Sequence, residues 1–144
     1  MSFAPGRGLG GMSDTTHSPT TVTNIGVVMF TVSDVDAAIA FYTQTLGFEL
    51  RADIAFGEGG EYRWVEVAPP GSTTRLSLNP PMNGATPGGG GIGLETADVR
   101  GEHARLAALG VEAPEPFDMP GTPLMFMFND PDGNYITVVD APAA

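Results

Sequence analysis

The sequence contains no cysteine, which removes disulfide frameworks, thiol nucleophiles and thiolate metal sites in one step. It contains no lysine either. Its six basic residues, all arginine, face seventeen aspartates and glutamates, for a formal net charge of −11 and a pI near 4.2. So acidic a chain repels phosphate backbones and anionic membrane surfaces, so neither nucleic acid nor membrane is an expected partner. The two histidines do not converge in the pattern: His17 falls in the N-terminal tail, and His103 falls on a helix at a position that suits an outer face. No apolar run approaches the roughly 18 residues that span a bilayer. The stretch before Asn24 lacks the apolar segment of a signal peptide, and the expected location is the cytoplasm.

What is present suits one folded domain. At 144 residues there is room for a single core, and a hydrophobic fraction of 42% is ordinary for a globular chain. The acidic surface keeps such a protein soluble and would draw in cationic small molecules.

Residues 1–23 are Gly, Ser, Thr and Pro without apolar periodicity and read as a flexible tail, within which Met12 is a second candidate start. From Ile25 to Val32 a β-branched run reads as a strand, followed by a helix capped by Ser33 or Asp34 and ended by Gly47. Ala38, Ile39, Phe41, Tyr42 and Leu46 fall on its apolar side. Strands follow at Phe48–Phe56, Tyr62–Val67 and Thr74–Leu78, and 80–90 reads as a linker. The pattern then restarts. Ile92–Thr96 is a strand, Asp98 caps a helix over Val99–Leu109 with Ala104, Leu106 and Leu109 on its apolar side, and Gly110 ends it. Strands are expected at Val111–Phe117, Pro123–Phe128 and Tyr135–Val139, with DPDGN (Asp130 to Asn134) as a tight turn.

The two halves overlay. Phe30-Thr-Val-Ser-Asp-Val35 matches Leu94-Glu-Thr-Ala-Asp-Val99, and Leu46-Gly-Phe-Glu49 matches Leu109-Gly-Val-Glu112, the two offsets differing by a single helical residue. The expected architecture is α+β: tandem βαβββ modules, 24–79 and 91–140, whose curled mixed sheets form a partly barrel-like surface around a cleft, with a short tail at 141–144.

Three stretches carry a resemblance to the vicinal oxygen chelate superfamily, which includes glyoxalases, bleomycin-resistance proteins and extradiol dioxygenases. They are VSDVDAAIAFYTQTLGFEL (Val32 to Leu50), IGLETADV with ALGVEA in the second half, and FNDPDGNYITVV (Phe128 to Val139). The resemblance implies the fold firmly and the chemistry weakly, because one such scaffold hosts many activities. Relatives commonly bind a divalent metal through one His or Glu from each of four strands. The matching positions here are Val27, Ser77, Gly91 and Thr137, and none supplies an imidazole or carboxylate. The resemblance therefore implies no metal and no cofactor in this chain.

Strand alternation selects the residues that would line the cleft: Met29, Trp64, Ser77, Glu95, Met125, Met127, Tyr135 and Thr137. Trp64, the only tryptophan, is either a core anchor or a stacking wall. Glu95 shares a strand face with Gly91 and is the one candidate general acid-base, provided the cleft buries it; Glu66 is a weaker candidate of the same kind. Three readings follow. One is a metal-free protein that binds and sequesters an apolar or aromatic small molecule, cationic or not, as bleomycin-resistance proteins do. Another is a glyoxalase-like lyase, isomerase or dioxygenase using Glu95 or a non-standard metal site. The third is a small domain whose role is only to pair with a partner. A homodimer is expected from the resemblance alone.

Overall fold

The computed structural model describes residues 19–142. His17, Met12 and most of the expected N-terminal tail lie outside the described residues. Among the described residues no helix is long and apolar enough to cross a membrane.

In the first module, β1 (Val27–Thr31) leads into α1 (Val35–Ala40), which Asp34 caps by accepting a hydrogen bond from the Ala37 N–H at 3.0 Å. The helix does not stay α-helical to its end. Thr43 Oγ1 donates to the Ile39 carbonyl at 2.7 Å, and the chain widens into one π-helical turn, Phe41–Thr45, closed by Leu46 N–H to Phe41 O. Gly47, at φ +80°, then reverses the chain. The strands β2 (Glu49–Phe56), β3 (Tyr62–Ala68) and β4 (Arg75–Asn79) complete a four-stranded sheet of order β1-β4-β3-β2, with β1 and β4 parallel.

The second module repeats this with one strand fewer. β5 (Gly91–Thr96), α2 (Val99–Ala108, capped by Asp98), β6 (Met125–Asn129) and β7 (Tyr135–Asp140) give a three-stranded sheet of order β5-β7-β6, with β5 parallel to β7. The expected strand at Val111–Phe117 is not formed. Pro114 and Pro116 have no N–H to donate, so only Phe117 pairs, through two backbone bonds with Met125. Leu109 also departs from expectation, being 54% exposed, while Val99 and Leu106 carry the buried side of α2. The edge strands β1 and β5 are not hydrogen-bonded to each other, so the two sheets do not close into a barrel.

Both modules feed one core. Phe30, Val65, Val67, Leu76 and Leu78 from the first sheet join Phe126, Phe128, Ile136 and Val138 from the second, with Tyr42 and Leu106 from the helical segments. Polar links fix the modules to each other. The Tyr42 hydroxyl donates to Asp130 Oδ2 at 2.8 Å, Asn134 Nδ2 donates to the Thr31 carbonyl, and the Arg105 guanidinium reaches the carbonyls of Thr45 and Leu46. DPDGN is therefore more than a turn: it docks the second module on the first.

Candidate functional site

Strand register defines the face of each sheet that its helix leaves uncovered. In the first sheet Ala52, Glu66, Ser77 and Met29 stand in one row across β2, β3, β4 and β1. Ile54 pairs with Trp64 in the next row, and Phe56 with Tyr62 beyond it. Arg75 and Val27 pair on the other side of the Ser77 row. The reverse face, with Val65, Val67, Leu76 and Leu78, is fully or almost fully buried. The open face is not: Met29 is 61% exposed and Ile54 56%, and Phe56 and Tyr62, their rings stacked at 5.2 Å, are also exposed. The open face thus has an aromatic and apolar end and a polar end.

The polar end is organised around Glu66. Its Oε2 accepts from the Trp64 indole N–H at 2.9 Å, and its Oε1 accepts from Arg75 Nε at 2.8 Å. Its side chain is only 13% exposed, and each of its two oxygens has a donor. Beside it Ser77 is fully buried and donates to Asn79 Oδ1 at 2.7 Å. Trp64 is half-buried, and its own N–H fixes it to Glu66.

The hairpin that carries the aromatic end is tied down from behind. Arg63 forks onto both Asp53 oxygens at 2.8 Å and reaches Asp36 on α1 at 2.9 Å. Arg63 also holds the Asp53 carboxyl below its usual range by hydrogen bonding to the ionised form.

On the second sheet the open face reads Gly91, Tyr135 and Asn129 in one row; Gly93, Thr137 and Met127 in the next; and Glu95, Val139 and Met125 in the third. Tyr135 is exposed and its hydroxyl meets the Met127 sulfur, while Met125, Met127 and Thr137 are half-buried.

Of the residues chosen from alternation, Glu95 alone lines a cavity among those found. Met29, Trp64, Ser77, Met125, Met127, Tyr135 and Thr137 instead occupy the two open faces. Alternation assigns a side chain to a face correctly, but one sheet face encloses nothing until a second surface covers it.

A groove of about 650 Å³ lies between the modules, within the size range of ligand pockets. Phe48, Pro69, Pro70, Ile92 and Val139 give it apolar walls, and Arg75 and Glu95 reach it from opposite modules. Its β3–β4 turn is rigid, because Arg51, the bulged residue of β2, donates to the Ser72 and Pro69 carbonyls at 2.6 and 3.0 Å. Glu95 is exposed and so lacks the burial that a general acid-base role required of it. His103 also differs from expectation. Its Nε2 lies 3.1 Å from the Ala113 carbonyl and its ring packs edge-on against Phe126, which ties the strandless 111–117 segment to α2.

The four positions that the resemblance assigns to metal ligands form two pairs of strands. Val27 and Gly91 carry no donor atom, and the Ser77 hydroxyl is committed to Asn79. Among the described residues no three His, Cys, Asp or Glu side chains come together in a metal-holding group. Val27, Ser77, Gly91 and Thr137 thus offer no imidazole or carboxylate of the kind that holds a divalent metal.

Sequence reasoning passed over Ile54, Phe56 and Tyr62 as binding candidates, while alternation had already set Arg75 on the face of Ser77. The signal was available: Ala52, Ile54 and Phe56 alternate on β2.

Comparison with known proteins agrees with this geometry. Residues 24–138 match the family model described as the Glyoxalase/Bleomycin resistance protein/Dioxygenase superfamily. The uncharacterized protein YetH of Bacillus subtilis (strain 168) is 37% identical over 117 residues, 78% of this chain and 94% of that protein. Among solved structures, TnmS3, an antibiotic binding protein from Streptomyces sp. CB03234, is 34% identical with a TM-score of 0.76, over 86% of this chain and all of that one. A superfamily member from Sphaerobacter thermophilus DSM 20745 is 32% identical with a TM-score of 0.77, over 85% of this chain and all of that one.

Proposed function

Because the chain belongs to the glyoxalase/bleomycin resistance protein/dioxygenase superfamily, we propose that it uses this scaffold as a metal-free binding protein for an apolar or aromatic small molecule. One observation carries the reading. The open face of the first sheet presents Met29, Ile54, Phe56 and Tyr62 exposed, with half-buried Trp64 beside an ordered polar end, where a monomer with no ligand to hold would gain by polar side chains. Flat apolar walls with a few fixed polar groups suit a planar organic ligand. The poor donor set at the family's metal positions supports binding over metal-dependent turnover, and the exposure of Glu95 argues against its service as a desolvated acid-base. TnmS3, described as an antibiotic binding protein, supports an antibiotic or antibiotic-like ligand.

The same uncovered faces, together with the unpaired edges of β1 and β5, support a homodimer in which a second copy covers each open face. The decisive experiment is a thermal-shift screen of aromatic antibiotics and metabolites against protein stripped with chelator. Stabilisation of the metal-free protein by a member of that set is expected, since a ligand of the folded state must raise its melting temperature. A screen without stabilisation, or one in which binding needs a stoichiometric metal, refutes the proposal.

A further inference from the structure

We infer that the ligand is anchored at Arg75 and presents it with an anionic or strongly polarised oxygen, such as a carboxylate or phenolate, on a planar ring; this rests on the binding function proposed above. The net charge of −11 points the other way, toward a cation. Local chemistry outweighs it, because a charge in contact acts far more strongly than charges beyond a Debye length of about 8–10 Å.

The guanidinium is already aimed. Its Nε donates to Glu66, whose second oxygen is held by Trp64, so ligand binding has little side-chain freedom left to remove. Its two Nη groups accept no such duty: among the described residues neither has a hydrogen-bond partner. They pass 3.8 Å from where a side chain at Gly26 would begin, and that residue has none. Arg75 also stands where two surfaces meet, being a wall of the 650 Å³ groove and a neighbour of the Ser77 row on the open face.

Among the described residues, the strand carboxylates of that face are already engaged. Both Glu66 oxygens are taken, and Glu49, at the far edge opposite Ala68, is paired with Arg51 at 3.1 Å. Glu95, across the groove, is exposed, and solvent screens it. What remains unsatisfied is a pair of guanidinium edges beside an indole and flat apolar walls. That is a site for an oxygen acceptor on a ring.

Two probes with one ring test this: 2-naphthoate and 2-(aminomethyl)naphthalene, titrated into the full-length protein at low salt. Trp64 is the only tryptophan, so one indole N–H resonance reports binding next to Arg75, and calorimetry gives the affinities. Naphthoate should bind at least about tenfold more tightly than the amine and should shift that resonance. Arg75→Gln combined with Glu66→Gln, which leaves no unpaired buried carboxylate, should abolish the preference, and Arg75→Lys should keep part of it. Tighter binding of the amine, especially if lost in Glu95→Gln, overturns this inference while leaving the binding function standing. A preference for naphthoate that survives in a folded Arg75→Gln/Glu66→Gln protein overturns it too. Binding of neither probe at millimolar concentration overturns both readings.

Discussion

Replacing Tyr42 with Phe tests whether the two modules are held by one buried polar link. Asp130 is 4% exposed, and its carboxylate is satisfied by four neutral donors. Oδ2 takes the Tyr42 hydroxyl at 2.8 Å and Asn134 Nδ2 at 3.0 Å, and Oδ1 takes the backbone N–H groups of Asp132 and Asn134 at 2.9 and 2.8 Å. The Tyr42 bond alone among them comes from the other module. Removing the hydroxyl deletes a hydrogen bond to a buried charge, worth about 1.5–3 kcal/mol, and the packing of the ring is unchanged. For a domain of this size each kcal/mol moves the melting temperature by about 3 °C, so a fall of about 5–9 °C is expected.

The same bond sets a pH dependence. Burial first, and then the neighbouring Asp130 carboxylate, pushes the Tyr42 hydroxyl far above its ordinary value of 10.0. Below that value neither folded nor unfolded chain ionises Tyr42, and the link contributes fully. Above it the unfolded chain loses the proton while the folded chain keeps it, so stability from this residue declines by about 1.4 kcal/mol per pH unit. Thermal denaturation followed by circular dichroism at pH 7 and at pH 11 measures both effects. A Tyr42→Phe protein that melts within about 1 °C of the parent at pH 7 would refute the latch, and an alkaline decline as steep as the parent's would refute the ionisation argument.

Further outcomes follow from other contacts. Gly90→Ala places a Cβ 2.6 Å from Phe30 Cδ1 at the junction of the modules, and should cost about 1–3 kcal/mol by overpacking, read from the same denaturation curves. Asp34→Ala and Asp98→Ala each remove the side-chain acceptor at a helix start and should each cost about 1 kcal/mol; the pair should be additive, because the caps belong to separate helices. Ile54→Arg puts a charge on the uncovered face of the first sheet. Sedimentation should show a shift from dimer toward monomer with little loss of monomer stability, whereas an unchanged sedimentation coefficient would place the dimer contact elsewhere.

Local chemistry in the sequence was enough for most of the elements. Asp34 and Asp98 mark helix starts because a carboxylate answers free N–H groups wherever the chain turns helical, and Gly47 and Gly110 mark the ends because they tolerate positive φ. Alternation groups residues such as Met29 and Ser77, which the register then sets side by side, because a strand has a period of two. It failed at Val111–Phe117, where β-branched and apolar residues suggested a strand but two prolines withheld the donors that pairing needs.

The duplication itself, the register of its two halves and the residues standing at the family's metal positions are properties of the sequence, because each depends on order along the chain. Which surfaces meet is not. Nothing local says that Tyr42 bonds Asp130 across the modules, or that the β1 and β5 edges stay apart and leave the sheets unclosed. Nor does the sequence pair Trp64 and Arg75 through Glu66, since that link joins residues on different strands whose register is set by packing. Overall charge, summed along the sequence, pointed to a cationic ligand. Only the folded arrangement, which occupies both Glu66 oxygens and leaves the Arg75 edge unpartnered among the described residues, turns the site toward an oxygen acceptor.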